Sequence, residues 1–266
     1  ATPLLIAAMG ELVVERSGVL NLGVEGMMVM GAVTGFAAAL ITGSTALGIL
    51  AAILAGVMMS LLFGFLTLSL VANQVASGLA LTLLGIGLSG LIGESFVGLP
   101  GLKMPTLFGV DALVPFSLFL VAAVSYVLFG TKAGLVVRAV GNSHHSAHAL
   151  GYRVIAIRYL SVMFGGACAG LAGAYLSLAY TPQWIENMTA GRGWIALALV
   201  VFASWRPLRT LFGAYLFGAV SIMGFVVQSM GLGIPSQFLS SLPYLVTIAA
   251  LVIISGNKRL TRANTP

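Results

Sequence analysis

The sequence predicts an all-α, polytopic membrane protein with about eight to ten transmembrane helices. Hydrophobic residues make up 59% of the 266 residues and charged residues only 7%, whereas a soluble domain carries about 25% charged residues. The mean hydropathy is +1.10. Continuous apolar runs near the roughly 20 residues that a membrane helix needs favour helices over a barrel. We therefore expect one transmembrane domain, spanning 1–266.

Nine apolar segments, separated by polar or glycine- and proline-containing breaks, account for the expected helices. Their predicted bounds are about 2–14, 22–42, 46–71, 74–93, 115–130, 155–180, 189–204, 209–231 and 238–256. Hydropathy identifies apolar segments more accurately than it locates their ends, so each bound is accurate to a few residues. The chain begins at Ala1 rather than at a methionine, so we expect further residues to precede it.

Basic residues predict which breaks face the cytoplasm. They gather in three places, namely 131–158, the break from Trp205 to Arg209, and the tail after Gly256. Short basic loops are retained on the cytoplasmic side of a membrane. The loop 94–114 and the turn around Glu186 are then expected outside. The net charge of +6 is accounted for in this way and does not indicate nucleic-acid binding.

Counting spans back from the segment 131–158 places Arg16 inside and Ala1 outside. The glycine-containing segment Ser17–Gly26 is predicted to be a broken or re-entrant element, because irregular backbone is tolerated where protein or a cavity surrounds it. Small residues four apart, such as Gly166 and Gly170, predict close helix contacts.

The N-terminal third carries polar residues that a membrane span tolerates only when they are paired or face a cavity. Glu11, Glu15, Arg16, Asn21 and Glu25 all lie within 18 residues of one another. One interpretation is a polar gate or substrate contact, and the other is a charge-paired segment that fixes the bend. On the first interpretation the predicted pathway residues are Asn21, Glu25, Asn73 and Gln74. Asn73 and Gln74 are equally explained as the polar start of a helix.

The long polar segment 131–158 predicts a docking element for a soluble partner. It holds all three histidines, His144, His145 and His148. The spacing of His144 and His148 would suit two metal ligands, but the chain offers no nearby acidic residue as a third. We therefore expect no metal site, and a solvated docking helix is the better explanation.

Other chemistry is disfavoured by what the chain lacks. It has no Gly-x-x-x-x-Gly-Lys-Ser/Thr loop, so ATP hydrolysis by that route requires another chain. Gly87-Leu-Ser-Gly90 resembles an intramembrane protease motif, but every histidine lies in the segment 131–158, far from Ser89. Cys168 is alone and is predicted to be a buried packing residue. We expect no enzymatic activity in this chain.

Three blocks resemble one family of membrane transporters. The segment 15–28, Glu-Arg-Ser-Gly-Val-Leu-Asn-Leu-Gly-Val-Glu-Gly-Met-Met, resembles the N-terminal block of nucleoside-type permeases of ATP-binding-cassette (ABC) importers. That group also handles branched-chain amino acids and simple sugars. The segment 134–151 resembles its coupling loop, and 188–207 resembles its Gly-x-Gly to Trp-x-Pro stretch. The histidines depart from the family's usual residues at the coupling helix.

The resemblance implies a vitamin-B12-permease-like fold in the bacterial plasma (inner) membrane, with a cytoplasmic coupling loop at about 131–158. It implies a second, non-identical permease subunit, a cytoplasmic ABC ATPase that binds ATP and Mg²⁺, and a periplasmic or lipoprotein substrate-binding protein. This chain itself would hold no cofactor. The implied ATPase-coupling residues are Asn142, Ser143, His144, Ala147, Leu150 and Gly151.

The expected substrate is a nucleoside. The alternatives are a permease for simple sugars or another small ring compound, and an ion-coupled secondary transporter. The last would need an ionisable residue near the middle of the membrane, for which only Glu25 and its neighbours are candidates.

Overall fold

The computed structural model describes residues 1–102, 104–107, 109–230, 235, 237–239, 241–246 and 249. Ten α-helices have both ends within these residues, and residues 237–239 and 241–246 are also helical. They are α1 Thr2–Arg16, α2 Val24–Thr42, α3 Thr45–Gly64, α4 Gln74–Gly93, α5 Leu113–Gly130, α6 Lys132–Asn142, α7 His144–Ala149, α8 Val154–Tyr175, α9 Arg192–Phe202 and α10 Pro207–Ser229.

Three short extensions and one hairpin complete the described secondary structure. The π-helical turns Phe65–Ser69 and Leu176–Tyr180 extend α3 and α8, and the 3₁₀ turn Glu94–Phe96 extends α4. Strands β1 (Thr106–Leu107) and β2 (Val110–Asp111) form an antiparallel hairpin with Thr106 opposite Asp111. The hairpin lies in the predicted loop between α4 and α5.

The helical prediction is confirmed. Eight of the helices occupy the first eight predicted apolar segments, and six of these are long and apolar enough to cross a membrane. The exceptions are α1, with 15 residues, and α9, with 11. The predicted segment 238–256 and the basic tail lie largely outside the described residues.

Helices α1, α2, α3 and α8 form the centre of the bundle, where glycines bring backbones into contact. Gly31 on α2 packs on the backbone of Gly170 on α8, and Gly56 on α3 packs on Gly166. This confirms the predicted close contacts at Gly166 and Gly170. Close packing matters because lipid provides no hydrophobic drive for helix association.

Replacing Gly170 with leucine is expected to destabilise this centre. A Cβ at position 170 would overlap the backbone carbonyl of Ala52 on α3, and overpacked cores lose about 1–3 kcal/mol, occasionally more. Thermal unfolding in detergent should show a lower melting temperature. Gly87→Leu is the matched control, because a Cβ on Gly87 of α4 meets nothing within 4 Å. Equal melting temperatures for the two variants would contradict this packing.

The basic breaks within the described residues meet at one end of the bundle. The Nε of Arg158 donates to the carbonyl of Ser17 at 3.1 Å, and the Nη2 of Arg16 donates to the carbonyl of Trp205 at 3.3 Å. At the opposite end, the Gly101 amide donates to the Pro182 carbonyl at 2.8 Å. The predicted orientation requires the basic breaks to lie at one end of the bundle. The end that holds Arg16 and Arg158 is then the cytoplasmic one.

Candidate functional site

The chain reverses direction after α1 and re-enters the bundle as the irregular segment Ser17–Gly23. The Leu20 amide donates to Gln74 Oε1 at 2.8 Å, and the Leu22 carbonyl accepts from Thr82 Oγ1 at 3.1 Å. Thr82 lies about 12 Å farther along α4 than Gln74, at 1.5 Å per residue. The segment therefore climbs along α4 before α2 begins. This confirms the predicted broken element.

Helix α9 is a half-length helix rather than the full return span that the apolar segment 189–204 predicted. Its 11 residues extend about 16 Å, about half of a hydrocarbon core of roughly 30 Å. Its C-terminus leads into the basic break at Trp205. Its N-terminus therefore lies near the middle of the membrane, where the residues that join α8 to α9 return into the bundle. Trp184, in this connection, is fully buried.

The carboxylate of Glu25 lies at the N-terminus of α9. Its Oε1 accepts from Thr189 Oγ1 at 2.6 Å and from the Gly191 amide at 2.8 Å, and its Oε2 accepts from the Gly193 amide at 2.6 Å. Glu25 is 1% exposed. Free amides and the helix dipole make a helix N-terminus favourable for a negative charge. Glu25 thus joins the start of α2 to the start of α9.

Glycine is required where α9 meets α2. Gly191 has φ +82°, and a Cβ on Gly193 would lie 2.6 Å from the Cα of Glu25. The indole Nε1 of Trp194 also donates to the Leu22 carbonyl at 3.2 Å. The re-entrant segment and the half-helix are therefore one connected unit.

Asn21 and Glu11 form a second buried polar pair beside this unit. The Asn21 Nδ2 donates to Glu11 Oε2 at a long 3.5 Å, and Asn21 Oδ1 accepts from the Gly23 amide at 3.0 Å. Both side chains are buried, and Glu11 Oε1 has no hydrogen-bond partner in the part of the chain that the structure describes. The carboxyl group of Glu11 therefore has fewer and longer hydrogen bonds than that of Glu25.

Glu15 and Arg16 both contact Trp205, at the break between α9 and α10. The Trp205 Nε1 donates to Glu15 Oε2, and the Arg16 guanidinium lies 6.0 Å from the centre of the Trp205 ring. These contacts fasten the C-terminus of α1 to the C-terminal end of α9.

Asn73 and Gln74 lie at the start of α4, at the end of the bundle that holds Arg16. Asn73 caps the helix, since its Oδ1 accepts from the Ala76 amide at 3.1 Å. Gln74 binds the re-entrant segment, as described above. Asn21 and Glu25 likewise have internal partners. A direct contact of these four residues with substrate stays a prediction.

The polar segment folds as two consecutive helices, α6 and α7, separated by Ser143 and here called the α6–α7 hairpin (132–151). Gly134 packs on the backbone of α5 at Val127 and Leu128, and Gly141 packs on the backbone at Arg16 and Gly18. Ser143 caps α7, because its Oγ accepts from the Ser146 amide at 3.3 Å. The hairpin therefore lies directly against the re-entrant segment.

The predicted coupling residues divide by exposure. Ala147 is buried within this chain, whereas Leu150 is 76% exposed. The remaining four are exposed, apart from the half-buried Ser143; they are Asn142, Ser143, His144 and Gly151. Beside α7 a cavity of about 540 Å³ is lined by residues that include His148, Tyr152 and Ile155. The exposed, apolar Leu150 beside this hollow suits contact with another protein.

The three histidines of the α6–α7 hairpin are exposed. The rings of His144 and His145 lie 4.0 Å apart, and the neighbouring His145 lowers the pKa of His144. No group of three or more His, Cys, Asp or Glu side chains able to hold a metal occurs in the described residues. Cys168 is buried, with its Cβ against Gly10, in agreement with its predicted packing role.

The family model for the permease component of branched-chain amino acid transport systems matches residues 1–255. The chain belongs to this permease family. It is 42% identical to a putative glucose ABC transporter permease of Haloferax volcanii, over 94% of this chain and 88% of that one.

Two further relatives of the permease carry nucleoside names. A guanosine ABC transporter permease of Bacillus subtilis and a nucleoside ABC transporter permease of Lactococcus lactis are each 31% identical to it, over 99% of this chain and 92% of theirs. No solved structure matches the permease. The predictions of an ABC permease subunit and of a multi-pass plasma-membrane protein are confirmed.

Sequence reasoning missed the partners of Glu25 in the permease. Thr189, Gly191 and Gly193 lie 164–168 residues away in the chain. The available signal was the pair of glycines around Arg192, which allows backbone amides to approach a carboxylate closely.

Proposed function

We propose that this permease subunit imports nucleosides by alternating access, driven by a separate cytoplasmic ABC ATPase. The ATPase binds ATP and Mg²⁺ and docks on the α6–α7 hairpin. A second, non-identical permease subunit completes the pathway, and a substrate-binding protein delivers the nucleoside from outside. The relatives named for guanosine and nucleosides support this substrate class.

One observation supports the mechanism more than any other. The exposed α6–α7 hairpin is packed onto the re-entrant segment through Gly141 and Gly18, and Arg158 binds the same segment at Ser17. A push on α7 is therefore delivered to Ser17–Gly23. That segment leads into α2, where Glu25 holds the N-terminus of α9. The contacts form a short mechanical connection from the cytoplasmic surface to the half-helix.

A sugar is the second candidate substrate, because the relative from Haloferax volcanii is named for glucose. Nucleosides and sugars share a hydroxylated ring, so one pathway geometry can serve either class. Uptake measurements decide between them.

The test is uptake by cells that express this permease with its partner subunits. We expect guanosine to accumulate, with glucose accumulating at no more than background. Accumulation should stop when ATP is depleted and continue when an uncoupler removes the ion gradients. Accumulation that survives ATP depletion but stops with the uncoupler would show an ion-coupled transporter. Accumulation of glucose alone would show a sugar permease.

A further inference from the structure

Four arginines meet at the cytoplasmic end of the bundle, beside the re-entrant segment. Arg16 ends α1, and its guanidinium is within electrostatic range of Arg138 on α6 and of Arg206, which precedes α10. Gly141, one turn after Arg138, packs on the backbone of Arg16, so Arg138 lies on the face of α6 that meets α1. Arg158 reaches the same place from α8, through its bond to the re-entrant segment. These four residues are here called the arginine cluster.

Membrane topology alone does not explain the arginine cluster. Exposed charges such as those of Lys132 and Arg153 suffice to retain a loop in the cytoplasm. Arg16 and Arg138 are instead half-buried, and the Nε of each is shielded from solvent without a hydrogen-bond partner in the part of the chain that the structure describes. Burying like charges side by side costs free energy unless an opposite charge balances them. The arginine cluster therefore calls for an anion.

The acidic residues of the chain supply little of that balance. Of the six in the sequence, three lie in the predicted outer loops, and Glu11 and Glu25 lie deeper in the bundle. Only Glu15 is at the cytoplasmic end, and its Oε2 accepts from the Trp205 indole rather than from an arginine. One carboxylate thus stands beside four guanidinium groups, which leaves the site strongly positive.

Large apolar side chains flank the arginine cluster on the surface of the bundle. Phe129, at the end of α5, is 45% exposed, and the Arg138 guanidinium lies 5.0 Å from the centre of its ring. Leu208 and Phe212, one turn apart on α10, are also exposed, and α10 packs against α5. In a bilayer, exposed apolar side chains contact acyl chains, while arginine reaches the headgroups. A ligand that combines a phosphate with acyl chains suits both features.

We propose that the arginine cluster binds the phosphate headgroup of an anionic phospholipid from the cytoplasmic leaflet, with the acyl chains lying along α5 and α10. Guanidinium groups bind phosphate oxygens through paired, charge-assisted hydrogen bonds, and basic pockets between membrane helices on this side recognise anionic headgroups. The bound lipid joins α1, α6 and α10 at the place where the α6–α7 hairpin meets the re-entrant segment. The site does not depend on which solute the permease imports.

Lipid binding to the purified permease assembly, followed by native mass spectrometry, tests the site. We expect the wild type to bind dioleoylphosphatidylglycerol about tenfold more tightly than dioleoylphosphatidylcholine, whose headgroup has no net charge. Arg138→Gln removes one charged donor and should weaken phosphatidylglycerol binding about tenfold, with little effect on phosphatidylcholine. Arg138→Lys keeps a positive charge that can bind phosphate, so it should recover most of the wild-type affinity.

Arg153→Gln is the matched control for Arg138→Gln. It removes one positive charge from the same end of the protein, but from an exposed residue outside the arginine cluster. Its affinity for phosphatidylglycerol should equal that of the wild type. A loss as large as that of Arg138→Gln would show that net charge, and not a built site, attracts the lipid.

Three further outcomes would overturn the proposal. Unchanged phosphatidylglycerol affinity in Arg138→Gln would remove its basis. Displacement of the lipid by an equal concentration of glycerol phosphate would show a site for free phosphate instead. If Arg138→Gln weakened ATPase co-purification but left phosphatidylglycerol binding intact, the arginine cluster would serve an acidic surface of the ATPase. The substrate assignment would be unaffected by each of these results.

Photolabelling of the wild-type assembly keeps the test decisive if the variants fail to fold. With a phosphatidylglycerol that carries a diazirine near its headgroup, we expect labelled peptides from 129–142 and 205–212. An excess of unlabelled phosphatidylglycerol should abolish this labelling, and an equal excess of phosphatidylcholine should not. Labelling confined to other peptides would refute the site.

Discussion

Replacing Glu25 with glutamine is expected to lower the melting temperature of the permease by roughly 6–12 °C, taking about 2–4 °C per kcal/mol for a chain of this size. The carboxylate accepts three hydrogen bonds from Thr189, Gly191 and Gly193. Each bond to a charged group contributes about 1.5–3 kcal/mol. Glutamine keeps one acceptor oxygen but loses the charge and turns its NH₂ group toward a donor, so we expect a net loss of about 3 kcal/mol. Thermal unfolding in detergent, followed by loss of monodispersity, provides the measurement.

Glu11→Gln is the matched control for this prediction. Glu11 is equally buried, but it has one long hydrogen bond to Asn21 and an oxygen without a partner in the described residues. Burying a charge without adequate partners is costly, so an uncharged amide should leave the melting temperature unchanged or raise it. If Glu11→Gln lowered the melting temperature as much as Glu25→Gln, the two carboxyl groups would not differ in their hydrogen bonding as described.

Leu150→Asp is expected to uncouple the permease from its ATPase. Leu150 is 76% exposed on the α6–α7 hairpin, so a charge there costs the isolated permease little. At the centre of a protein–protein interface, truncating an anchoring side chain reduces the binding free energy by about 2 kcal/mol or more. We expect ATPase co-purification to weaken by more than about tenfold and ATP-driven uptake to fall to background. The melting temperature should stay at the wild-type value.

Val97→Asp is the control for Leu150. Val97 is also an exposed apolar residue, at 61%, but it lies at the opposite end of the bundle, paired with Trp184. ATPase co-purification should be unaffected by this change. If Leu150→Asp retained wild-type co-purification and uptake, docking on the hairpin would be excluded.

Hydropathy sufficed to predict the helices, because each apolar run must either cross lipid or be buried. The re-entrant element was also predictable, since Gly18, Gly23 and Gly26 interrupt a run that carries charges. The half-length of α9 was not predictable, because the apolar segment 189–204 has the same composition whether it crosses fully or stops at the middle.

The contacts of the candidate site required the structure. Composition shows that Glu25 needs partners, but not that they are amides more than 160 residues away. Exposure likewise separates Ala147, on α7, from Leu150, which follows the end of α7, although both were predicted to couple to the ATPase.

Labelling a single cysteine at Ser146 tests the cytoplasmic position of the α6–α7 hairpin, on which the account depends. Ser146 is exposed on α7, whereas the native Cys168 is buried and should not react. With a membrane-impermeant maleimide, we expect Ser146→Cys to react in inside-out vesicles and to be protected in intact cells. Reaction in intact cells from the external medium would place the hairpin outside and contradict the account.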